Sequence, residues 1–334
     1  MKIINKIVLV SAYLIIIIVL SAAIDIFIFH NRLGFAGGRV RTSSIIQHPY
    51  IGFTEKRIAS SEPYSIYYDG SNIYKNNENK IRIAFFGGST GAFSDPETPD
   101  SLTIPEYLEQ RLKERLKKDA VVINYSAGGA HHHQHLHMLL EFMPRFKPDI
   151  VLYYGGNNET IQAFMDDPRP FYPFNFFYQA EVPVWQKFLF EYSALFSCSY
   201  ENIETYIILK KLRDKTGFTS PEWYQQMTDS YFKTLELSNE ITKTFKSDIF
   251  GSAVFISVFQ PLNLSYSSEW EIPVKMIRDK LPSVPYAYDF FHMYDKFPKG
   301  IYYDNCHVRD EANRFMADKL ADLLIEKHLS LYKK

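Results

Sequence analysis

Short, nearly continuous apolar runs punctuate the chain at Ile81 to Phe86, Val121 to Asn124, Asp149 to Tyr154 and Ala253 to Phe259. Runs this short, without polar alternation, predict strands buried on both faces, as in a parallel sheet. Between them the period becomes helical. From Ile104 to Lys117, Leu108, Leu112 and Leu116 recur four apart with charges between them, one apolar stripe on a helix. A second helix is predicted from about His132 to Met143. A third, from Arg309 to Leu329, places Ala312, Phe315, Met316, Leu320 and Leu323 on one face. Strand and helix in alternation predict an α/β domain, a doubly wound parallel sheet flanked by helices. Between Ile161 and Lys246 the pattern breaks into an aromatic stretch, Phe171 to Phe177, and longer helical pieces. An insertion or cap over the site is expected there, at about 161–246.

Ahead of this domain, Ile7 to Phe29 is almost continuously apolar, with Asp25 its only charge. About 20 such residues span a bilayer core, so a single-pass transmembrane helix is expected. Ser21, Ala22 and Ala23 would suit a cleaved signal peptide, but the apolar run continues through Ile24, Ile26, Phe27, Ile28 and Phe29. Lys2 and Lys6 precede the run and Arg32, Arg39 and Arg41 follow it, so flanking charge does not decide orientation. A short tail before the run and a long domain after it form a signal-anchor arrangement, which puts the domain on the periplasmic or extracytoplasmic side. The organisation expected is an anchor at 1–30, a stalk and irregular lead-in at 31–79, and one domain at 80–334. No internal repeat is present.

Composition sharpens this picture by exclusion. With 46% hydrophobic and 22% charged residues the chain is globular rather than disordered. Its net charge of −1 supplies no basic field for nucleic acid. Two cysteines, Cys198 and Cys306, make no disulfide framework. Aromatic residues reach 16%, more than packing alone usually needs, and some could line a binding surface.

In an open parallel sheet, reactive groups collect just beyond the carboxyl ends of the strands. After the first strand come Gly87, Gly88, Ser89 and Thr90; after the second, Asn124-Tyr-Ser-Ala-Gly-Gly129; after the third, Gly155-Gly-Asn-Asn-Glu159. Two glycines permit a tight turn that presents a serine hydroxyl where backbone N–H groups converge, although Gly-Gly-Ser alone is more often a helix N-cap. The later loops add a small residue with an available N–H and side-chain amides, the parts of an oxyanion hole. Asp304-Asn-Cys-His307 precedes the last helix, a three-residue spacing that lets a carboxylate orient an imidazole.

As an ordered set, these blocks resemble the SGNH hydrolase superfamily, also called the GDSL family, over about Arg82 to Leu324 apart from the central insertion. The first block departs from Gly-Asp-Ser, reading Gly87-Gly88-Ser89; the missing Asp is not the triad acid. The resemblance implies a flavodoxin-like fold and a serine esterase or acyltransferase needing no cofactor or metal. It implies Ser89 as nucleophile, His307 as base and Asp304 as the group that orients it. The oxyanion hole would comprise the N–H groups of Ser89 and Gly129 and an asparagine amide. The third block fits in two registers: Asn158 is preferred because Glu159 then fills the acidic position, and Asn157 is the alternative.

A second Asp-x-x-His, Asp289 and His292, lies away from the last helix, and Phe290 and Phe291 suggest that it is partly buried. The run His131, His132, His133, His135 and His137 places pairs four apart, as a divalent metal would require, but without a carboxylate motif beside it. The expectation is that these histidines flank the cleft or are solvated. For an anchored member the resemblance implies an O-acyl, chiefly O-acetyl, ester of a cell-surface glycan as substrate. The alternatives are a lipid or thioester hydrolase and a non-catalytic glycan-binding or scaffold protein of an export complex. Protein partners are not legible.

Overall fold

The computed structural model describes residues 2–25, 45–48, 52–55, 79–161, 193, 221–266 and 270–334. The chain divides into two units, and helix α1 (Lys2–Ile24) belongs to a different one from the central sheet.

Helix α1 is 23 residues long, and its apolar side chains from Val8 to Leu20 are exposed. Among the described residues no helix is long and apolar enough to cross a membrane. Within the expected irregular lead-in, Ile45–His48 and Gly52–Glu55 pair as a two-stranded sheet.

The second unit is built on five strands: β1 (Ile81–Gly87), β2 (Ala120–Asn124), β3 (Ile150–Gly155), β4 (Val254–Phe259) and β5 (Ala287–Asp289). Their order is β2-β1-β3-β4-β5, and every pairing is parallel. This is the flavodoxin-like order, whose topological switch point lies between β1 and β3. The four apolar runs became β1 to β4 within a residue at each end. Strand β5 was not foreseen: Ala287, Tyr288 and Asp289 carry no apolar run, and only pairing with Ser257 to Phe259 makes them a strand.

Both sheet faces are covered. On one, Ile83, Phe85, Leu152, Tyr154, Ile256 and Val258 join one core with α2 (Ile104–Arg115) and α6 (Asp310–Lys327). Of the stripes the sequence period marked, Leu108, Leu112, Ala312, Met316 and Leu320 are 0% exposed, Leu116 2% and Leu323 8%, while Phe315 is only partly buried. Glu106 accepts from the N–H and the hydroxyl of Thr103, each at 2.7 Å, fixing the start of α2. On the other face lie α3 (His132–Phe146) and α4 (Pro221–Lys243), where Tyr153 meets Phe86 and Phe255 edge-on. Helix α5 (Glu271–Lys280) packs against α4.

Helix α4 corrects the expected cap. It buries Tyr224, Met227, Tyr231 and Leu235 and packs on α3 and β4, so this part of 161–246 is the crossover between β3 and β4. Serines and threonines at its buried positions hid the apolar stripe; Thr228, Thr234 and Thr242 return their hydroxyls to carbonyls one turn back. The aromatic stretch Phe171 to Phe177 lies outside the described residues.

Candidate active site

Ser89 opens a four-residue helical turn, Ser89–Ala92, directly after β1. At the first helical position its N–H has no intrahelical acceptor and points outward. Asn124, closing β2, donates to the Gly91 carbonyl at 2.9 Å and accepts the Ser126 N–H at 2.9 Å, so the loop after β2 is tied to this turn. Gly129 in that loop has φ +74°, a left-handed conformation that glycine adopts without strain.

The loop before α6 supplies the other half. His307 Nε2 lies 2.7 Å from Ser89 Oγ, and His307 Nδ1 lies 2.7 Å from Asp304 Oδ2. Asp304 Oδ1 accepts the N–H groups of Cys306 and His307 at 2.9 and 2.8 Å. Partial burial pushes the Asp304 carboxyl up, but those two N–H groups and the adjacent imidazole outweigh it and hold the acid below its usual value. An ionised Asp304 favours the tautomer with the proton on Nδ1, leaving Nε2 free to accept from the Ser89 hydroxyl.

This loop is anchored through α6. Asp95, 3% exposed, accepts the Asp310 N–H at 3.1 Å at the head of the helix. Burial opposes the Asp95 charge, yet the Thr98 hydroxyl, the N–H groups of Glu97 and Asp310, and nearby Arg309 hold its pKa down. Tyr107 of α2 donates to Asp310 Oδ1 at 2.6 Å. Asp95 escaped the sequence reading because nothing local pairs it with a helix more than two hundred positions away.

The adjacent asparagines are placed differently. Asn158 Nδ2 donates to the Ala130 carbonyl at 2.6 Å and lies 2.4 Å from where a Cβ on Gly88 would fall. Gly88 thus leaves room for the amide beside Ser89, and a larger residue could not stand there without displacing it. Asn157 is 6% exposed, and its Oδ1 accepts from Asn305 Nδ2 at 2.6 Å. Glu159 accepts the Gly156 N–H at 2.7 Å and the His132 N–H at 2.8 Å, joining the loop after β3 to the head of α3.

Four histidines of the run are not solvated, and the fifth, His137, is partly buried. His131, His132, His133 and His135 are 0–3% exposed. Burial drives the His132 and His135 pKa values down to about 3 and that of His133 to about 4, with His131 also well below its usual value. His132 Nδ1 lies 3.1 Å from Glu159 Oε1, a contact in which burial of the ring opposes its charged form. His133 Nε2 meets Ser230 Oγ at 2.9 Å and His135 Nε2 faces the Gly87 carbonyl at 3.2 Å. Among the described residues, metal-ligand spacing occurs at Asp304, Cys306 and His307 rather than in the run, and the Asp304–His307 hydrogen bond already occupies that group. Cys306 is a buried free thiol; Cys198 lies outside the described residues.

The second Asp-x-x-His is not a pair. Asp289 binds Arg278 at 2.7 Å, and His292 binds Asp295 at 2.8 Å with both side chains mostly exposed. The expected burial falls on Phe290 alone, at 8%.

Beside His307 and Asp304 opens a cavity of about 850 Å³, walled in part by Ala92, Phe93, Leu102, Ile104 and Val308.

No family model and no curated protein matches the chain. Among solved structures it is similar to the lipase Lip_vut3 from a goat rumen metagenome, at 14% identity and TM-score 0.44, over 73% of this chain and 97% of that one. It is also similar to a member of the lipolytic protein G-D-S-L family from Veillonella parvula, at 12% identity and TM-score 0.43, over 74% and 97%. A third similarity is to the acetyl xylan esterase AlAXEase, at 14% identity and TM-score 0.40, over 73% and 100%.

Proposed function

We propose that the chain is an SGNH-type serine esterase or acyltransferase, with Ser89 as nucleophile, His307 as general base and acid, and Asp304 orienting it. One observation carries this reading: the unbroken hydrogen-bond chain from Ser89 through His307 to Asp304, with 2.7 Å at each link. Each residue of it comes from a loop at the carboxyl edge of the sheet or the head of a helix. Such a chain lets Nε2 take the hydroxyl proton as Oγ bonds to the acyl carbon. The N–H groups of Ser89 and Gly129 and the second amide hydrogen of Asn158 receive the oxyanion. Collapse expels the alcohol, protonated by His307. Water or an acceptor hydroxyl then gives its proton to His307, attacks the acyl-enzyme, and releases Ser89.

In this reading the substrate is an O-acyl, chiefly O-acetyl, ester of a cell-surface glycan, and the chain is membrane-anchored with its domain outside the cytoplasm. The apolar run Ile7 to Phe29 and the exposed apolar side chains of α1 support the anchor. An ester with a longer apolar acyl chain is the second reading, favoured by the apolar wall of the cavity beside His307. Turnover of acyl esters from acetyl upward, with and without sugar acceptors, separates the two. A fluorophosphonate probe should label wild-type protein and not Ser89→Ala. A folded protein that is neither labelled nor esterolytic would leave only a binding or scaffold role.

A further inference from the structure

The triad is drawn from two places 218 residues apart, so its geometry depends on how the Asp304–His307 loop is held against the sheet. The local turn does not do this alone, because the contacts of the Asp304 carboxylate, to the Cys306 and His307 N–H groups, the His307 ring and the Cys306 thiol, all stay within its own loop. Two bonds reach outward from the residue between them. Asn305 Nδ2 donates to Asn157 Oδ1 at 2.6 Å, and the Asn305 carbonyl accepts the Asn263 N–H at 2.8 Å. The first ends on the turn after β3 and the second on the segment after β4, so Asn305 pins the loop to two strand ends.

We propose that Asn157 and Asn305 form a positioning clamp that sets the register of His307 against Ser89, while of the two adjacent asparagines it is Asn158 that donates to the oxyanion. The proposal rests on the serine-hydrolase reading and divides the two adjacent asparagines by function. Asn157 is 6% exposed and its acceptor oxygen is taken up by the catalytic loop. Asn158 lies against Gly88, next to the nucleophile, and keeps a second amide hydrogen after binding Ala130. A side-chain amide carries two hydrogens, so Asn158 can bind Ala130 and an oxyanion at once. The clamp is more than packing, because it acts on the one degree of freedom the chemistry cannot tolerate losing. A displacement of about 1 Å in a reacting group costs up to roughly 10²-fold in rate.

The test is a double-mutant cycle on the full-length protein in detergent, with p-nitrophenyl acetate as the probe. Asn157→Ala and Asn305→Ala should each lower kcat by roughly 10-fold with KM little changed, and the double variant should be no slower than either alone. Asn157→Asp keeps the acceptor oxygen but turns the Nδ2 that donates to Asn158 Oδ1 at 3.4 Å into a second acceptor, so it should recover only part of the rate lost in Asn157→Ala. A purely structural role would move the thermal midpoint without this rescue and without the split between kcat and KM. Additive losses in the double variant, an Asn157→Asp as slow as Asn157→Ala, or wild-type turnover in Asn305→Ala would each overturn the clamp. Should Asn157→Ala fail to fold, Asn305→Ala and the isosteric Asn157→Asp still decide the matter. Ser89→Ala separates the two levels: if turnover survives it, the serine-hydrolase reading fails, whereas loss of turnover with an additive cycle sinks the clamp alone.

Discussion

His307 and the run from His131 to His135 are the same side chain in opposite circumstances. The His307 ring is 35% exposed, has a carboxylate on one nitrogen and a serine hydroxyl on the other, and borders a cavity. His131, His132, His133 and His135 are 0–3% exposed; the His132 and His135 rings pack against Tyr153, and His132 also against Tyr231. A histidine can exchange protons near neutrality only if its charged form is solvated or paired. Burial lowers the pKa of these histidines more than the nearby Glu159 carboxylate raises it, which makes the run a packing element.

The sharpest way to break this contrast is to remove one histidine of each kind. Ser89→Ala and His307→Ala should each lower turnover on the order of 10³-fold or more, and together no further, since a triad acts as a unit. His135→Gln, assayed on protein shown to be folded, should leave the rate per folded molecule nearly unchanged. If the two outcomes were exchanged, the chemistry would belong to the run.

Next in size is the oxyanion donor. Asn158→Ala should lower kcat by ~10² to 10³ with little change in KM, because the charge it stabilises appears mainly in the transition state. Comparison with Asn157→Ala at matched thermal midpoint tests the choice of register. A larger loss at Asn157 would shift the block by one residue.

The buried run should show itself in acid stability rather than in rate. The folded pKa values of His132 and His135 lie at about 3 and that of His133 at about 4, below the usual 6.5. Between those limits the unfolded chain binds protons that the native state refuses, so stability is full above pH 6.5 and declines toward pH 4. Each such histidine contributes a slope of about 1.4 kcal/mol per pH unit inside that window. Thermal midpoints measured from pH 7.5 down to 4.5 should fall steadily, and less steeply when one buried histidine is replaced by a neutral residue. A flat profile would mean that the run is hydrated or already charged.

The smallest effects are expected at the decoys. His292→Ala removes an exposed pair with Asp295, and such pairs contribute about 0–1 kcal/mol, so rate and midpoint should hardly move. A chelator should leave esterase activity unchanged. Activity lost to the chelator and restored by zinc would give the run a role that burial argues against.

Legibility followed the range of the interaction. The four main strands and the stripes of α2 and α6 could be read because apolar runs and helical periods are written over consecutive positions. Ser89, Asp304 and His307 could be named because each stands in a short motif at the end of a strand or the head of a helix. Strand β5 and helix α4 could not be assigned to the sheet domain, since Ala287 to Asp289 are a strand only beside β4 and α4 hides its buried stripe behind hydroxyls bonded to their own helix.

What the sequence determined by itself is the alternation of strand and helix and the residue types at the strand ends. Only the tertiary structure decided which histidines are wet, which asparagine faces the nucleophile, and where Asp95 and Asn305 take their partners. The reason is physical: solvation and hydrogen-bond partnership are set by atoms brought together from distant parts of the chain. Asn157 and Asn158 are neighbours of identical chemistry in the sequence, yet one lies against Asn305 and the other against Gly88.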